Sequence, residues 1–178
     1  PSGYGGKTAL TVVPTSSSTP VYMLHNPYET IKYHFTISAS EYNRLGGIGW
    51  TRQGVAFYSD DAQGITVYRF YRPASDAHSY ALTSRLSGYN EEGISCYGIK
   101  YYYVAYDDNG ATSGSYATQK LQYGLTYTMP NCPYSWADHT FVGWRCSNGA
   151  TYAAGQTVSN LTATSEGTVT MRALWKIG

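Results

Sequence analysis

Short runs of alternating apolar and polar residues, separated by turn-forming residues, make up the first hundred residues of the chain. Three of these runs predict β-strands: residues 21–24, 33–37 and 54–58. Ser38 is followed three residues later by Glu41, which matches a capping box and predicts a short helix over residues 39–45. Gly46 is placed to end that helix in a left-handed conformation. The predicted unit is therefore β-β-α-β.

The same pattern returns further along the chain and predicts a tandem repeat. The two copies are residues 21–58 and 67–97. Tyr22 aligns with Tyr68 at an offset of 46 residues, and the offset falls to 39 by the end of the second copy. A shared order of matches with small deletions is the signature of an internal repeat. In the second copy Thr83 takes the capping position without an acid three residues on, so only about one helical turn is expected before Gly88.

The pattern changes near residue 101, where a second module is predicted. Its strands are expected at residues 101–106, 118–123, 140–145 and 168–175. Asn109 and Gly110 predict a tight turn, because both residue types tolerate positive φ. The expected fold is α+β and mostly β. It has one module of two β-β-α-β repeats over residues 21–100, a small module over 102–176, and a linker or edge strand over 1–20.

Composition favours an extracellular protein that meets polar, uncharged ligands. Charged residues make up 13% of the chain, about half the usual fraction of about 25%, while tyrosine and glycine are abundant. The net charge of +1 gives no basis for binding nucleic acid, which needs a basic surface. No apolar run is long enough to span a membrane. Because the chain starts at Pro1 rather than Met, we interpret it as part of a longer protein, and its composition favours one that is secreted or displayed at the cell surface.

The second module resembles a Listeria–Bacteroides repeat, the module related to the internalin B-repeat. The matching segments are residues 104–110, 123–124, 140–144, 148–149, 152, 155, 158–162 and 169–176. The resemblance implies a small β-grasp-like fold that serves mainly as a spacer or stalk in bacterial surface and secreted proteins. It also implies that Trp144 and Trp175 are core residues rather than ligand platforms.

The repeat pair resembles a tandem repeat family of unknown function found in secreted, multi-module proteins. The second copy keeps the pattern of that family at Tyr68, Arg69, Arg72, Pro73, His78, Tyr80, Glu92 and Gly93. The first copy departs from the pattern at Met23, Tyr33 and Gln53, while it keeps Asn26, Pro27, Glu41, Gly49 and Trp50. If each repeat carries a polar site, the first copy has therefore lost part of it.

Aromatic rings interspersed with polar side chains suggest carbohydrate binding by the repeat module. A flat ring stacks on the apolar face of a sugar, while a few polar groups fix its orientation. The candidate ligand-binding residues are Trp50, Arg69, Tyr71, Arg72, Asp76, His78, Tyr80 and Glu92. The alternative is a structural spacer, scaffold or protein-adhesion module, in which Arg69 and Glu92 form a buried pair and Trp50 packs in the core. A binder exposes a ring beside convergent polar groups, whereas a spacer buries Trp50, Arg69 and His78.

The chain has no motif that indicates an enzyme, a metal site or a cofactor. Nucleophile-elbow, zinc-protease and phosphate-loop patterns are absent from the sequence, so we predict a non-catalytic protein without cofactors. Cys96 aligns with Phe57 and is expected to be a small buried hydrophobe. Spacing alone leaves open whether Cys132 and Cys146 form a disulfide. The expected ligand is a glycan, for which a galactose or arabinose type is compatible with the sequence.

Overall fold

A computed structural model describes residues 18–28 and 32–178, and the chain divides into two compact units, Pro1–Ile99 and Lys100–Gly178. The described residues are mostly β-strand with a single α-helix, which confirms the predicted class. The expected linker or edge strand at residues 1–20 lies largely outside the described residues.

The first sheet of the first unit has three strands. Its elements are β1 (Thr19–His25), β2 (Tyr33–Thr36), α1 (Ala39–Gly47) and β3 (Thr51–Ser59). Both β2 and β3 pair antiparallel with β1, which gives the strand order β2-β1-β3. The element order is the predicted β-β-α-β.

Helix α1 begins at the predicted cap, Ser38, but the predicted roles of Glu41 at its start and of Gly46 at its end are wrong. The Ser38 hydroxyl accepts a hydrogen bond from the Glu41 amide at 3.2 Å. The Ser38 amide, however, donates to the hydroxyl of Thr36, so Glu41 does not complete the capping box and its carboxylate is used elsewhere. Gly46 also does not end the helix, because the left-handed residue is Gly49, with φ of 104°. A Cβ at Gly46 would lie 2.3 Å from the guanidinium of Arg52, an exposed, flexible side chain that would have to shift.

The second sheet of the first unit follows the same plan without a helix. Its strands are β4 (Ile65–Arg72), β5 (Ala77–Ala81) and β6 (Asn90–Gly98), in the order β5-β4-β6. A 3₁₀ turn at Pro73–Ser75 connects β4 to β5. The prediction of a second helix is wrong, because residues 82–89, between β5 and β6, form bends and turns. The Thr83 hydroxyl accepts the Arg85 amide in a local turn, and no acid is present to stabilise a helix start.

The two sheets share their strand register. Tyr22 opposes Thr36 as Tyr68 opposes Ala81, and the central strand of each sheet is irregular at two equivalent places. The sheets meet through a small core of Val21, Val67 and Cys96, with Phe35, Ile37, Phe57 and Tyr80 around it. Cys96 is 3% exposed, which confirms its prediction as a small buried hydrophobe, and this burial raises the pKa of its thiol to about 11.

The second unit is a five-stranded sheet with a separate two-stranded ribbon. Its strands are β7 (Tyr101–Asp107), β8 (Gln119–Gln122), β9 (Thr126–Thr128), β10 (His139–Cys146), β11 (Thr151–Tyr152), β12 (Thr157–Ser159) and β13 (Thr168–Ile177). The sheet order is β11-β10-β13-β7-β8, and β13 runs parallel to β7. Trp144 is fully buried and donates to the Pro130 carbonyl at 3.0 Å, while Trp175 packs against the core from its margin. Asn109 and Gly110 both have positive φ, as predicted. Cys96, Cys132 and Cys146 are free thiols.

Candidate functional site

Arg69 is the centre of a charged cluster between the two sheets of the first unit. Its guanidinium donates to both carboxylate oxygens of Glu41, at 3.0 and 3.2 Å, and to Glu92 at 3.0 Å. It also contacts Nε2 of His34 at 2.9 Å. The Arg69 side chain is only 13% exposed, so these contacts replace water as its partners. We call the Arg69 cluster the set Lys32, His34, Glu41, Arg69, Asp76, His78 and Glu92.

Glu41 links helix α1 to the second sheet. Hydrogen bonds from His34 and Arg69 hold the pKa of the Glu41 carboxyl far below its ordinary value of 4.5, against the opposing effect of partial burial. Nε2 of His34 lies 3.4 Å from the same carboxylate.

His78 lies against both the charged centre and the exposed margin of the cluster. Its Nε2 is 3.0 Å from Glu92, and its ring meets that of His34 edge to face, with centroids 5.1 Å apart. Nδ1 of His78 is buried and has no hydrogen-bond partner among the described residues. Burial lowers the pKa of His78 from its ordinary value of 6.5, although the Glu92 carboxylate opposes the shift.

The pKa of His78 makes the stability of the first unit depend on pH. Below about pH 6.5 the unfolded chain binds a proton that the folded chain resists, so the free energy of unfolding is expected to fall as the pH drops through this range. We expect the urea midpoint to be lower at pH 5.5 than at pH 8, with a smaller difference in His78→Gln. Equal midpoints at both pH values in the wild type would contradict this assignment.

The exposed margin of the cluster is formed by Tyr71 and Asp76, and the buried Lys32 pairs with Asp76. The Tyr71 hydroxyl donates to Oδ1 of Asp76 at 2.8 Å, and the Lys32 ammonium pairs with Oδ2. Lys32 is buried, but the Asp76 side chain is 66% exposed. The pKa of Asp76 is lowered mainly by its hydrogen bond from Lys32 and, to a smaller extent, by the one from Tyr71. The same bond to Asp76 raises the pKa of Tyr71. The Tyr71 ring also contacts His78 at a centroid distance of 5.3 Å.

Trp50 occupies another margin of the same cluster. The amides of Ile48 and Trp50 both donate to the Leu45 carbonyl at 3.1 Å, so the end of helix α1 fixes the position of Trp50. The indole is partly exposed and meets the His34 ring edge to face at 5.9 Å.

Six of the eight sequence-predicted site residues come together at or beside the Arg69 cluster: Trp50, Arg69, Tyr71, Asp76, His78 and Glu92. Arg72 does not join them, because its side chain projects from β4 over the ring of Tyr89, 5.6 Å away. Tyr80 is largely buried, its hydroxyl accepts the Phe35 amide at 2.8 Å, and burial raises its pKa to about 12.

Sequence reasoning missed the partners that residues 32–41 contribute. Lys32 contacts Asp76, and His34 and Glu41 contact Arg69, at separations of 28 to 44 residues. The sequence identifies Glu41 as a capping acid and as part of the repeat pattern, but not as a partner of Arg69. One available signal for His34 is the alternation of β2, which places it on the buried face.

The described residues contain no group of three or more His, Cys, Asp or Glu side chains arranged to hold a metal ion. Within the same residues, no helix has the length and apolar character needed to cross a bilayer.

The first unit can be assigned to a family. Residues 2–99 match the family described as a domain of unknown function, DUF5648. Because this match spans more than half of the chain, the protein belongs to that family. No curated protein and no solved structure matched the sequence.

Proposed function

We propose that the first unit is a non-catalytic carbohydrate-binding module whose ligand contacts the margin of the Arg69 cluster. One observation carries the proposal. A partly exposed aromatic ring, Tyr71, is locked to an exposed carboxylate, Asp76, which is fixed in turn by the buried Lys32. Ring faces stack on sugars and carboxylates accept from sugar hydroxyls, so this pair supplies both elements of recognition.

The charges of the cluster favour a neutral glycan. Lys32 and Arg69 supply two positive charges, while Glu41, Asp76 and Glu92 supply three negative ones. These five side chains carry one negative charge in excess, which disfavours acidic sugars. In this proposal Arg69 is a positioning residue, since it orients Glu92 and His34 and does not need to touch the ligand itself.

The surroundings of this module are also part of the proposal. The shared strand order and register of the two sheets support a tandem repeat, residues 21–58 and 67–97, like that of the secreted repeat family. The buried Trp144 supports the second unit as a β-grasp-like spacer of the Listeria–Bacteroides type. The chain would then be part of a secreted or cell-surface bacterial protein, with other modules of the same polypeptide as neighbours.

A purely structural role is the second candidate function. It is favoured by the charged residues at the centre of the cluster, which bond to one another. Arg69, Glu41 and Glu92 satisfy one another at 3.0 to 3.2 Å and join the two sheets. A scaffold, or a module that adheres to a protein partner, needs no more than this. The two candidates differ in what they predict for the exposed margin, which only the binder uses.

A glycan array with the full chain tests the proposal. The wild type is expected to bind at least one neutral glycan, with galactose- and arabinose-containing structures included, and Tyr71→Ala is expected to weaken binding at least about tenfold, or about 1.4 kcal/mol. Tyr89→Ala is the matched control, because Tyr89 contacts Arg72 rather than the cluster. Equal binding by the wild type and Tyr71→Ala would exclude this margin as the site.

A further inference from the structure

The first sheet carries a pair of rings that matches Tyr71 and His78 in position and geometry. His25 on β1 opposes Tyr33 on β2, as Tyr71 on β4 opposes His78 on β5. The ring centroids are 5.0 Å apart with an interplanar angle of 41° in the first pair, against 5.3 Å and 44° in the second. Each sheet therefore places one imidazole beside one phenol at the same register position.

The two residue types have exchanged strands. In the first sheet the central strand supplies the histidine and the edge strand supplies the tyrosine, and in the second sheet the order is reversed. An alignment of the two copies pairs Tyr33 with His78 and therefore indicates that the first copy has lost the histidine. Because the rings face each other across two strands, the exchange keeps the chemistry of the pair.

The two ring pairs also have similar neighbours on the remaining strand of each sheet, β3 in the first and β6 in the second. Thr51 of β3 opposes His25, and Asn90 of β6 opposes Tyr71. Both residues are exposed and can donate or accept hydrogen bonds. Each ring pair is thus flanked by a polar side chain at the same place in its sheet.

The first pair is the more open of the two. Tyr33 is 43% exposed. The Tyr33 and His25 rings contact each other. Within the described residues, neither the Tyr33 hydroxyl nor the His25 imidazole makes a side-chain hydrogen bond. The Tyr71 hydroxyl, in contrast, is held by Asp76. The first pair therefore keeps its hydrogen-bonding groups available to a ligand.

We infer that His25 and Tyr33 form a second carbohydrate subsite, so that the first unit binds two neutral sugar residues rather than one. This inference rests on the proposed function, since it assigns the same ligand class to the ring pair that matches Tyr71 and His78 in position. Tyr33 provides the stacking face and His25 a donor or acceptor for a hydroxyl. Two subsites in one unit would raise the apparent affinity for surfaces that display many copies of a sugar.

A titration of the full chain with methyl galactoside and, separately, methyl arabinoside tests this inference by NMR. The histidine and tyrosine ring signals of the wild type are expected to show two saturable sets of shifts with at least one of these probes. Tyr33→Ala is expected to remove the set at His25 and halve the binding capacity, Tyr71→Ala to remove the set at His78, and Tyr33→Phe to retain both sets. Tyr89→Ala is the control.

The outcomes separate the two ideas. If Tyr33→Ala leaves every shift and the binding capacity of the wild type unchanged while Tyr71→Ala removes them, the second subsite is overturned and the proposed function stands. If neither probe shifts any ring signal in the wild type, both the second subsite and the proposed function at Tyr71 are overturned for these sugars.

Discussion

Arg69→Ala is expected to lower the free energy of unfolding of the first unit by about 3–5 kcal/mol, because it leaves Glu41 and Glu92 without their shared cation. Both carboxylates are partly buried and face Arg69 across 3.0 Å. Breaking one partner of a buried ion pair is costly, since the remaining charges keep their desolvation penalty. Urea denaturation followed by tryptophan fluorescence and circular dichroism measures the change.

Two further variants test the reason for this loss. Arg72→Ala removes an exposed arginine from the same strand and is expected to change the stability by no more than about 0.5 kcal/mol. Arg69→Met combined with Glu41→Gln and Glu92→Gln removes all three charges and is expected to recover part of the stability. A loss below about 1 kcal/mol in Arg69→Ala would show that the cluster does not hold the sheets together.

Trp50→Ala is expected to weaken glycan binding at least about tenfold while the free energy of unfolding falls by no more than about 1 kcal/mol. The indole is partly exposed, and its ring contact is with His34 at the margin of the cluster. Ring contacts run from Tyr71 through His78 and His34 to Trp50, so a glycan that extends along them from the Tyr71 margin would lose a stacking surface. Affinity is measured by calorimetry with a glycan bound on the array, and stability by urea denaturation of the same samples.

The scaffold candidate makes the opposite prediction for Trp50→Ala. If Trp50 fills the core, its truncation should cost about 3–5 kcal/mol, as large-to-small core changes do, and there should be no affinity to lose. Trp136→Ala is a matched control, because Trp136 is also partly exposed but lies in the second unit. Its substitution should leave glycan affinity unchanged.

Local patterns in the sequence predict the strands well because each strand depends on its own alternation and turn residues. The runs at residues 21–24 and 54–58 lie within β1 and β3. The failures concern the helices: the second predicted helix does not form, and at the start of α1 tertiary contacts compete with the local capping rule. Glu41 has the spacing of a capping acid, but Arg69 offers it two hydrogen bonds and a full charge.

The candidate site is harder to predict because it is assembled from both sheets. The sequence indicates Arg69, His78 and Glu92 as a polar group, and it raises a buried Arg–Glu pair as an alternative. The structure contains that pair, with Glu41 as a second acid. No local pattern shows that Lys32 reaches Asp76 across 44 residues, since that contact depends on how the sheets face each other.

The most direct test of the central claim is the glycan array of the full chain near neutral pH, with the wild type and Tyr71→Ala compared on the same slide. We predict saturable binding of the wild type to at least one neutral glycan and its loss in Tyr71→Ala, with Tyr89→Ala unchanged. The absence of saturable binding by the wild type to any glycan, or equal binding by all three proteins, would contradict a carbohydrate site at the margin of the Arg69 cluster and would favour the scaffold role.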